Sequence, residues 1–294
     1  MKRIALLGTG LMGIPVGQRL LAAGYSLAVW NRTGAKAQPL VDLGARACSS
    51  AAEAVADAEG VIALLANGPA VTEVLVQGRV EQALCPGALW IDMSSIPPDT
   101  AREHAQRLSV RGIEALDAPV SGGVVGAHDG TLAIMVGGEM TSFERARPLF
   151  AVLGRATRVG PAGTGALTKL ANQMIVGVTI GAVAEALILA EAGGADPSAV
   201  RAAIRGGFAE SRILELHGER MVRGDFTPGA HCRTQLKDLD SALTAAREDG
   251  IALPLTSVVA QLYRNFVEQG GGAELDHSAL WLALKALNEG AGAA

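Results

Sequence analysis

The segment "GTGLMG" at residues 8–13 constrains the fold of this chain more than any other feature. It continues a short apolar run, "RIALLG" at 3–8, and it opens a segment with the composition of a helix, 11–24. In a G-x-G-x-x-G motif the first glycine permits a tight turn, the second lets backbone approach a pyrophosphate, and the third lets helix and strand pack closely. A strand, this turn and a helix in sequence predict a dinucleotide-binding unit rather than a plain turn. The predicted cofactor-binding residues of the turn are Gly8, Thr9, Gly10, Leu11, Met12 and Gly13.

Short β-rich runs alternate with helical segments through the first half of the chain. Strands are predicted at 3–8, 26–31, 61–65, 88–92, 113–117 and 131–137, with helices at 11–24, 50–56, 70–77, 98–109 and 140–153. Ser50 and Glu53 have the spacing of a capping box. This alternation predicts an α/β fold with a mostly parallel, doubly wound sheet, that is, a Rossmann domain over residues 1–162.

The pattern changes after Val159. The stretch "GPAGTG" at 160–165 predicts a hinge, and no strand is predicted beyond it. Helical runs follow at 165–192, 196–205, 211–222, 233–249, 255–269 and 277–289. The sequence therefore predicts an all-α domain over residues 163–294, which begins with a long interdomain helix and serves substrate binding and oligomerisation.

Composition excludes several classes of function. The net charge of −4 and the 3% aromatic content argue against nucleic-acid binding. The most apolar segment, 175–190, is short for a membrane span and contains Glu185, which predicts a core helix and no membrane contact. An odd number of dispersed cysteines indicates reduced thiols in a cytoplasmic protein.

No metal site is predicted from the sequence. His128, His231 and His277 do not cluster with Asp, Glu or Cys at the spacing of metal ligands. A catalytic metal is also unnecessary if a lysine acts as the electrophile.

The end of the second predicted strand bears on the choice of dinucleotide. NAD sites usually place Asp or Glu there to bind the ribose 2′-hydroxyl, but this chain has "WNRT" at 30–33. Arg32 can form charge-assisted bonds with a 2′-phosphate, which a carboxylate would repel. Asn31, Thr33 and Lys36 complete this predicted site, although Arg32 in a solvated loop is the alternative. NADP is therefore preferred over NAD as the predicted cofactor, and NAD stays open.

A lysine and two amides interrupt the long apolar helix. Lys169, Asn172 and Gln173 stand at i, i+3 and i+4, so they share one helix face. A lysine that extends to the edge of the helix is the alternative to a polar pocket, and the residues alone leave the two about equal.

Four motifs together resemble the β-hydroxyacid dehydrogenase family, which is 3-hydroxyisobutyrate dehydrogenase-like. They are "GTGLMGIP" at 8–15, "DAPVSGG" at 117–123, "GTGALTKLANQ" at 163–173 and "QLKDL" at 235–239. The C-terminal half is most similar to the tartronate semialdehyde reductase branch through "AIRGG" at 203–207 and "DHSAL" at 276–280. "VWNRT" at 29–33 is instead similar to the glyoxylate and succinic semialdehyde reductase branch.

The resemblance implies a role for each matching residue. Lys169 matches the catalytic lysine, and Asn172 matches an amide that orients the substrate. Substrate binding is implied for Ser121, Gly122, Gly123, Gln173 and Lys237, and cofactor contact for Leu65, Ala66, Ser95 and again Lys237. Ala66 departs from the pattern, because many members have proline there.

These features predict an NADPH-dependent reductase of small semialdehyde or oxo acids, with Lys169 as proton donor and the site at the carboxyl ends of the strands. Two alternatives stay open: an NAD-dependent dehydrogenase of the 3-hydroxyisobutyrate or L-serine type, and a non-catalytic dinucleotide-binding module. The apolar helix of the all-α half also predicts a homodimer or homotetramer.

Overall fold

The computed structural model describes residues 1–291, with side chains through residue 288. The chain divides into two compact units, one from Met1 to Lys169 and the other from Leu170 onward. The division falls inside one continuous helix, Thr164–Ala192. The domain boundary predicted at 162/163 lies just before this helix.

The first unit is built on a nine-stranded sheet. Its strands are β1 Arg3–Leu7, β2 Ser26–Trp30, β3 Arg46–Ala47, β4 Gly60–Ala63, β5 Leu89–Asp92, β6 Glu114–Asp117, β7 Val120–Ser121, β8 Leu132–Gly138 and β9 Gly154–Gly160. The order is β3-β2-β1-β4-β5-β6-β8-β7, with β9 also paired to β8. The first six strands in this order are parallel, whereas β8 runs antiparallel to β6. The order of the parallel strands is that of a dinucleotide-binding sheet, with its topological switch point between β1 and β4.

The central strands are buried on both faces, which explains their nearly continuous apolar composition. In β1, Ile4 and Leu6 belong to the core on one face of the sheet, whereas Ala5 and Leu7 belong to the core on the other. Successive side chains of a strand point to opposite faces, so one run of five residues contributes to both cores. The predicted doubly wound α/β architecture is confirmed.

Helices flank the strands of the first unit. They are α1 Gly13–Ala22, α2 Gln38–Val41, α3 Ala51–Val55, α4 Gly68–Thr72, α5 Val80–Ala83, α6 Pro98–Ser109, α7 Gly123–Asp129, α8 Met140–Leu153 and the beginning of α9 Thr164–Ala192. At the predicted capping box of α3, Ser50 Oγ accepts the N–H of Glu53 at 3.1 Å, and the Glu53 carboxylate accepts the N–H of Ser49 at 2.8 Å.

Strand β9 is absent from the sequence prediction. Its side chains alternate between exposed and half-buried, and Arg155, Thr157 and Arg158 make it polar. An edge strand of this composition lacks the hydrophobic alternation by which a strand is recognised. Parallel pairing with the apolar β8 defines it instead.

The second unit is helical throughout its described residues, apart from one isolated bridge between His231 and Asp276. Its core joins α9 to later helices through buried residues such as Ile180, Leu239, Tyr263 and Leu280. The helices after α9 are α10 Pro197–Ile204, α11 Arg212–Arg223, α12 Cys232–Glu248, α13 Pro254–Glu268 and α14 Leu280–Ala291, with a 3₁₀ turn at His277–Ala279. The predicted all-α second half is confirmed.

Helix α9 is long and apolar enough to cross a membrane by length and composition alone, with a mean hydropathy of 1.9. One such helix is weak evidence for a membrane span, because core helices pass the same test. Only 33% of its apolar window is buried within the chain, and Ile175 and Leu189 are exposed. The sequence predicts a core helix here, but only one side of α9 is buried within the chain.

Candidate active site

The glycine-rich turn has a tight part and an open part. Gly8 has φ +102°, and a Cβ there would overlap the carbonyl oxygen of Leu64. A Cβ on Gly13 would overlap the carbonyl oxygen of Gly8, so the fold itself requires the first and third glycines. A Cβ on Gly10 would meet nothing within 4 Å. The middle glycine therefore leaves space outside the fold, where a ligand can approach the backbone.

The loop after β2 is attached to the glycine-rich turn by a side chain. Thr9 donates its backbone N–H to Asn31 Oδ1 at 3.1 Å, and Asn31 Nδ2 donates to the carbonyl of Thr33 at 2.9 Å. Asn31 thus holds the two predicted cofactor loops together. Arg32 and Lys36 lie exposed beside it.

Ser94 connects the loops after β4 and β5. Its hydroxyl accepts the N–H of Leu65 at 2.9 Å, and its own N–H donates to Asp92 Oδ1 at 2.9 Å. The predicted cofactor residues Leu65 and Ser95 flank this connection. Neither Asp92 nor Ser94 is among the site residues predicted from the sequence, although both lie in "DMSS" at the end of a predicted strand.

Two buried carboxyl groups stand side by side at the ends of neighbouring strands, since Asp92 of β5 pairs in register with Asp117 of β6. Burial raises the pKa of Asp92 to about 7, the hydrogen bonds from Ser94 oppose that rise, and the nearby Asp117 adds to it. Asp92 Oδ2 is buried and has no hydrogen-bond partner among the described residues. At neutral pH this carboxyl group is therefore close to half protonated.

Asp117 holds the start of helix α9. Gly163 donates its N–H to Asp117 Oδ1 at 2.8 Å, and Ala166 donates to Oδ2 at 2.7 Å. Burial raises the pKa of Asp117, and these backbone hydrogen bonds counteract the rise. The carboxylate performs the task of an N-cap from a distant strand, where it also faces the positive end of the helix dipole. Lys169 lies three residues after Ala166 on the same helix, so Asp117 fixes the segment that carries it.

The "SGG" segment links β7 to α7. Ser121 ends the strand, and Gly122 and Gly123 follow with φ of +132° and +63°. Residues that carry a Cβ rarely adopt such φ angles, so both positions require glycine. Both glycines are exposed, which leaves the backbone of the predicted carboxylate-binding loop open to a ligand.

The amides of α9 are joined to α12. Asn172 Nδ2 donates to Gln173 Oε1 at 2.9 Å, and Gln173 Nε2 donates to Asp238 Oδ2 at 3.0 Å. The other oxygen of Asp238 lies 3.0 Å from Lys237 Nζ. Asp238 is only 2% exposed and bridges two predicted substrate residues, Gln173 and Lys237.

One cluster in the second unit has the composition of a metal site. Ligand atoms of His217, Asp276 and His277 lie within 4.8 Å of one another. Asp276, however, accepts backbone N–H groups from Gly229 and Ser278, and its Oδ2 lies 2.7 Å from Arg220 Nη1. An arginine and these N–H groups compete for the oxygens that a cation would need. We therefore read the cluster as a hydrogen-bonded structural network.

Sequence reasoning missed Asp92, Asp117, Gln235 and Asp238. Asp117 and Gln235 are the first residues of "DAPVSGG" and "QLKDL", and Asp92 is the last residue of the apolar strand β5. Acidic or amide residues at the ends of buried strands, or on the apolar face of a helix, are a signal that could have found them.

The fold and the strand-end residues define an NAD(P)-binding oxidoreductase. Residues 3–163 match the family model described as the NAD binding domain of 6-phosphogluconate dehydrogenase. Residues 163–284 match the model described as NAD-binding of NADP-dependent 3-hydroxyisobutyrate dehydrogenase. Within the part of the chain that the structure describes, the buried hydroxyl of Thr9 has no hydrogen-bond partner. This hydroxyl and the open space at Gly10 fit a dinucleotide at this turn.

The chain is similar to curated enzymes over almost its full length. It is 42% identical to 2-hydroxy-3-oxopropionate reductase of Escherichia coli, covering 96% of this chain and 97% of that one. It is 31% identical to glyoxylate/succinic semialdehyde reductase 1 of Arabidopsis thaliana, covering 96% and 98%. A solved structure of Mycobacterium tuberculosis 3-hydroxyisobutyrate dehydrogenase with L-serine aligns with a TM-score of 0.89 at 34% identity, covering 97% and 99%.

The chain belongs to the β-hydroxyacid dehydrogenase family, in its 3-hydroxyisobutyrate dehydrogenase-like group. It is an NAD(P)-dependent oxidoreductase that acts on CH–OH groups. Its relatives support a reductase of semialdehydes as the general activity.

Proposed function

We propose that this protein is an NADPH-dependent reductase of small semialdehyde and oxo acids such as tartronate semialdehyde, succinic semialdehyde and glyoxylate. The observation that carries the proposal is the start of α9, where buried Asp117 holds the helix turn that precedes Lys169. The helix then presents Lys169, Asn172 and Gln173 on one face. A positioned ammonium group beside fixed amides is suited to carbonyl reduction.

The chemistry requires a proton and a stabilised oxygen. When bound, the reduced nicotinamide supplies the hydride that the carbonyl carbon receives. The carbonyl oxygen then becomes alkoxide-like, and Lys169 Nζ stabilises the charge and donates the proton. Lys169 is left as a neutral amine and is reprotonated from solvent. In the reverse direction the neutral amine takes the proton of a hydroxyl group.

Three further groups orient the substrate in this proposal. The Ser121 hydroxyl and the backbone N–H groups of Gly122 and Gly123 bind the carboxylate, because the positive φ angles keep that backbone open. The second N–H of the Asn172 amide binds the remaining oxygen, and Gln173 holds that amide through its Oε1. Lys237, held by Asp238, lies toward the nicotinamide end according to the family resemblance.

The preference for NADPH rests on the loop after β2. The amide of Asn31 joins two loops. Asn31 follows β2, where NAD sites usually have an Asp or Glu, and it carries no negative charge. Arg32, with Thr33 and Lys36, is exposed and available to a 2′-phosphate. Gly10, Leu65, Ala66 and Ser95 would contact the rest of the dinucleotide.

Oligomerisation and location complete the proposal. The exposed apolar residues of α9, among them Ile175 and Leu189, favour a homodimer or homotetramer that covers them. Size-exclusion chromatography with light scattering measures this directly, and a monomer would contradict it. The three cysteines are unpaired, as expected of a protein in the cytoplasm.

A substrate panel tests the function. We would measure reduction of the three aldehyde acids with NADPH and NADH, and oxidation of 3-hydroxyisobutyrate and L-serine with NADP⁺ and NAD⁺. The expected result is a higher kcat/KM for at least one aldehyde acid with NADPH than for any other pair.

Two results would contradict the proposal. Faster oxidation of 3-hydroxyisobutyrate or L-serine with NAD⁺ would identify the dehydrogenase alternative. Dinucleotide binding without turnover of any substrate would leave a non-catalytic module.

A further inference from the structure

A buried glutamine connects the amide pair of α9 to a histidine. Gln235 is 1% exposed, and its Nε2 donates to the backbone carbonyl of Gln173 at 2.9 Å. Its Oε1 lies 3.3 Å from Gln173 Nε2 and 3.3 Å from His277 Nδ1. Both ends of one buried amide are therefore engaged, one by α9 and one by the histidine.

The hydrogen-bond directions in this group follow from its acceptors. A backbone carbonyl only accepts, so the end of Gln235 that faces it must be nitrogen. The opposite end is then oxygen, and His277 Nδ1 must carry a proton in order to donate to it. His277 Nε2 lies 3.2 Å from His217 Nε2. His217 Nδ1 in turn lies 3.7 Å from Asp276 Oδ1.

The same reasoning fixes the amides of α9. Gln173 Nε2 donates to Asp238 Oδ2 at 3.0 Å and to Gln235 Oε1, both of which accept. Gln173 Oε1 is therefore the end that faces Asn172, whose Nδ2 donates to it at 2.9 Å. The orientation of the Asn172 amide is thus set by residues that lie behind it.

The surroundings leave this arrangement little freedom. A Cβ on Gly177 would lie 2.8 Å from Gln235 Nε2, so the side chain of Gln235 occupies space that glycine provides. On the other side, Asp276 Oδ1 accepts hydrogen bonds from the hydroxyl of Ser278 at 2.6 Å and from its backbone N–H at 3.1 Å. These bonds fix the turn that carries His277. Gly177 on one side and the turn at 276–278 on the other therefore restrict the positions of Gln235 and His277.

We propose that Gln235 and His277 are positioning residues that hold the Asn172–Gln173 amide pair in the orientation that the substrate requires. This inference rests on the proposed function of the amide pair. The position of the Gln235 amide, and through it that of the amide pair, then depends on a donor at the Nδ1 position of His277.

A pair of substitutions at one position tests this. His277→Asn places an amide nitrogen where Nδ1 stood, whereas His277→Leu removes the donor and keeps an apolar side chain of similar size. We expect His277→Leu to lower kcat/KM for the aldehyde acid by about 10- to 100-fold, because a small displacement of a positioning group has effects of that order. The dinucleotide Kd should stay unchanged, and His277→Asn should recover most of the loss.

Melting temperatures and crystal structures of both variants complete the experiment. We expect the Gln235 amide to shift away from Gln173 in His277→Leu and to keep its position in His277→Asn. Equal activity losses in both variants, parallel to equal losses of Tm, would show a structural role only and overturn the proposal. Unchanged amides of Gln235, Gln173 and Asn172 in the His277→Leu crystal would also overturn it. The crystal structures remain decisive if the wild-type protein reduces no aldehyde acid, which would be a failure of the proposed function instead.

Discussion

The carboxylate of Asp117 accepts a 2.7 Å hydrogen bond from the backbone N–H of Ala166, in the first turn of the helix that carries Lys169. Its other oxygen accepts the N–H of Gly163 at 2.8 Å. A single carboxyl group at a strand end thereby links the sheet to the position of the proposed proton donor. The strength of this link can be measured.

Replacing Asp117 by Asn leaves one oxygen acceptor and turns the other into a donor that faces an N–H group. We expect the unfolding free energy to fall by about 1–3 kcal/mol, the cost of an unsatisfied buried polar group. We also expect kcat to fall while the dinucleotide Kd is unchanged, because the start of α9 loosens one turn before Lys169. Urea denaturation and steady-state kinetics measure both, with Asp99→Asn at the exposed start of α6 as the control. Unaltered kcat in Asp117→Asn would show that the helix start does not position Lys169.

Asp92 makes stability depend on pH. Its pKa in the folded protein is about 7 against an ordinary value of 3.8, so the folded state binds a proton that the unfolded chain has lost. Stability is therefore complete below about pH 4, falls as the pH rises to about 7, and changes no further through this group. The penalty above pH 7 is on the order of 4 kcal/mol.

Asp92→Asn should remove most of this dependence, since the asparagine oxygen can still accept the N–H of Ser94. We expect the variant to be more stable than the wild-type protein above pH 7 and the difference to shrink toward pH 4. Thermal unfolding followed across pH 4–8 measures it. Parallel stability profiles of variant and wild type would contradict the proposed cause.

Much of the fold can be predicted from the sequence, because strands such as β1 and β4 are short runs of small and apolar residues. The capping role of Asp117 could not be predicted, since its partners Gly163 and Ala166 are far from it in sequence. Strand β9 could not be predicted from the sequence either, because its polar residues form a strand only by pairing with β8.

The site was predictable to a similar degree. The spacing of Lys169, Asn172 and Gln173 places them on one face of a helix, because helix geometry alone determines which residues share a face. That Asp238 is buried against Gln173 depends on how α12 packs on α9, which local sequence does not determine. Long-range polar contacts are therefore the part that sequence reasoning misses.

The open position of Gly10 separates ligand binding from folding. A methyl group there meets no protein atom within 4 Å, whereas one on Gly13 would overlap the carbonyl oxygen of Gly8. We expect Gly10→Ala to keep its Tm while the dinucleotide Kd rises about 10-fold or more, because the methyl occupies the phosphate approach. Gly13→Ala should instead have a lower Tm than the wild-type protein. Calorimetric unfolding and fluorescence titration measure the two properties, and tight dinucleotide binding by Gly10→Ala would place the phosphates elsewhere.

Arg32 should decide between the two dinucleotides. Replacing it by Asp removes the cation and supplies a carboxylate that accepts the ribose 2′-hydroxyl of NADH. We expect the KM for NADPH to rise about 10- to 100-fold, because a charge-assisted bidentate contact is lost and a repulsion is added, while the KM for NADH falls. Arg111→Asp in an exposed turn serves as the control. An unchanged ratio of the two KM values would show that Arg32 does not contact the cofactor.

Lys169 should be indispensable for turnover and dispensable for dinucleotide binding. Lys169→Ala removes both the charge and the proton, so we expect kcat to fall by about 10²–10⁴-fold, the usual contribution of a positioned general acid. Lys169→Arg keeps a positive charge but not a proton that can be given up at neutral pH, so it should remain nearly as slow. Titration of NADPH fluorescence should give the wild-type Kd for both variants. Lys285→Ala, on another helix and paired with Glu191, is the matched control and should retain its rate. Turnover within a few-fold of wild type in Lys169→Arg would assign Lys169 an electrostatic role without proton donation, and near-normal turnover in Lys169→Ala would refute the mechanism.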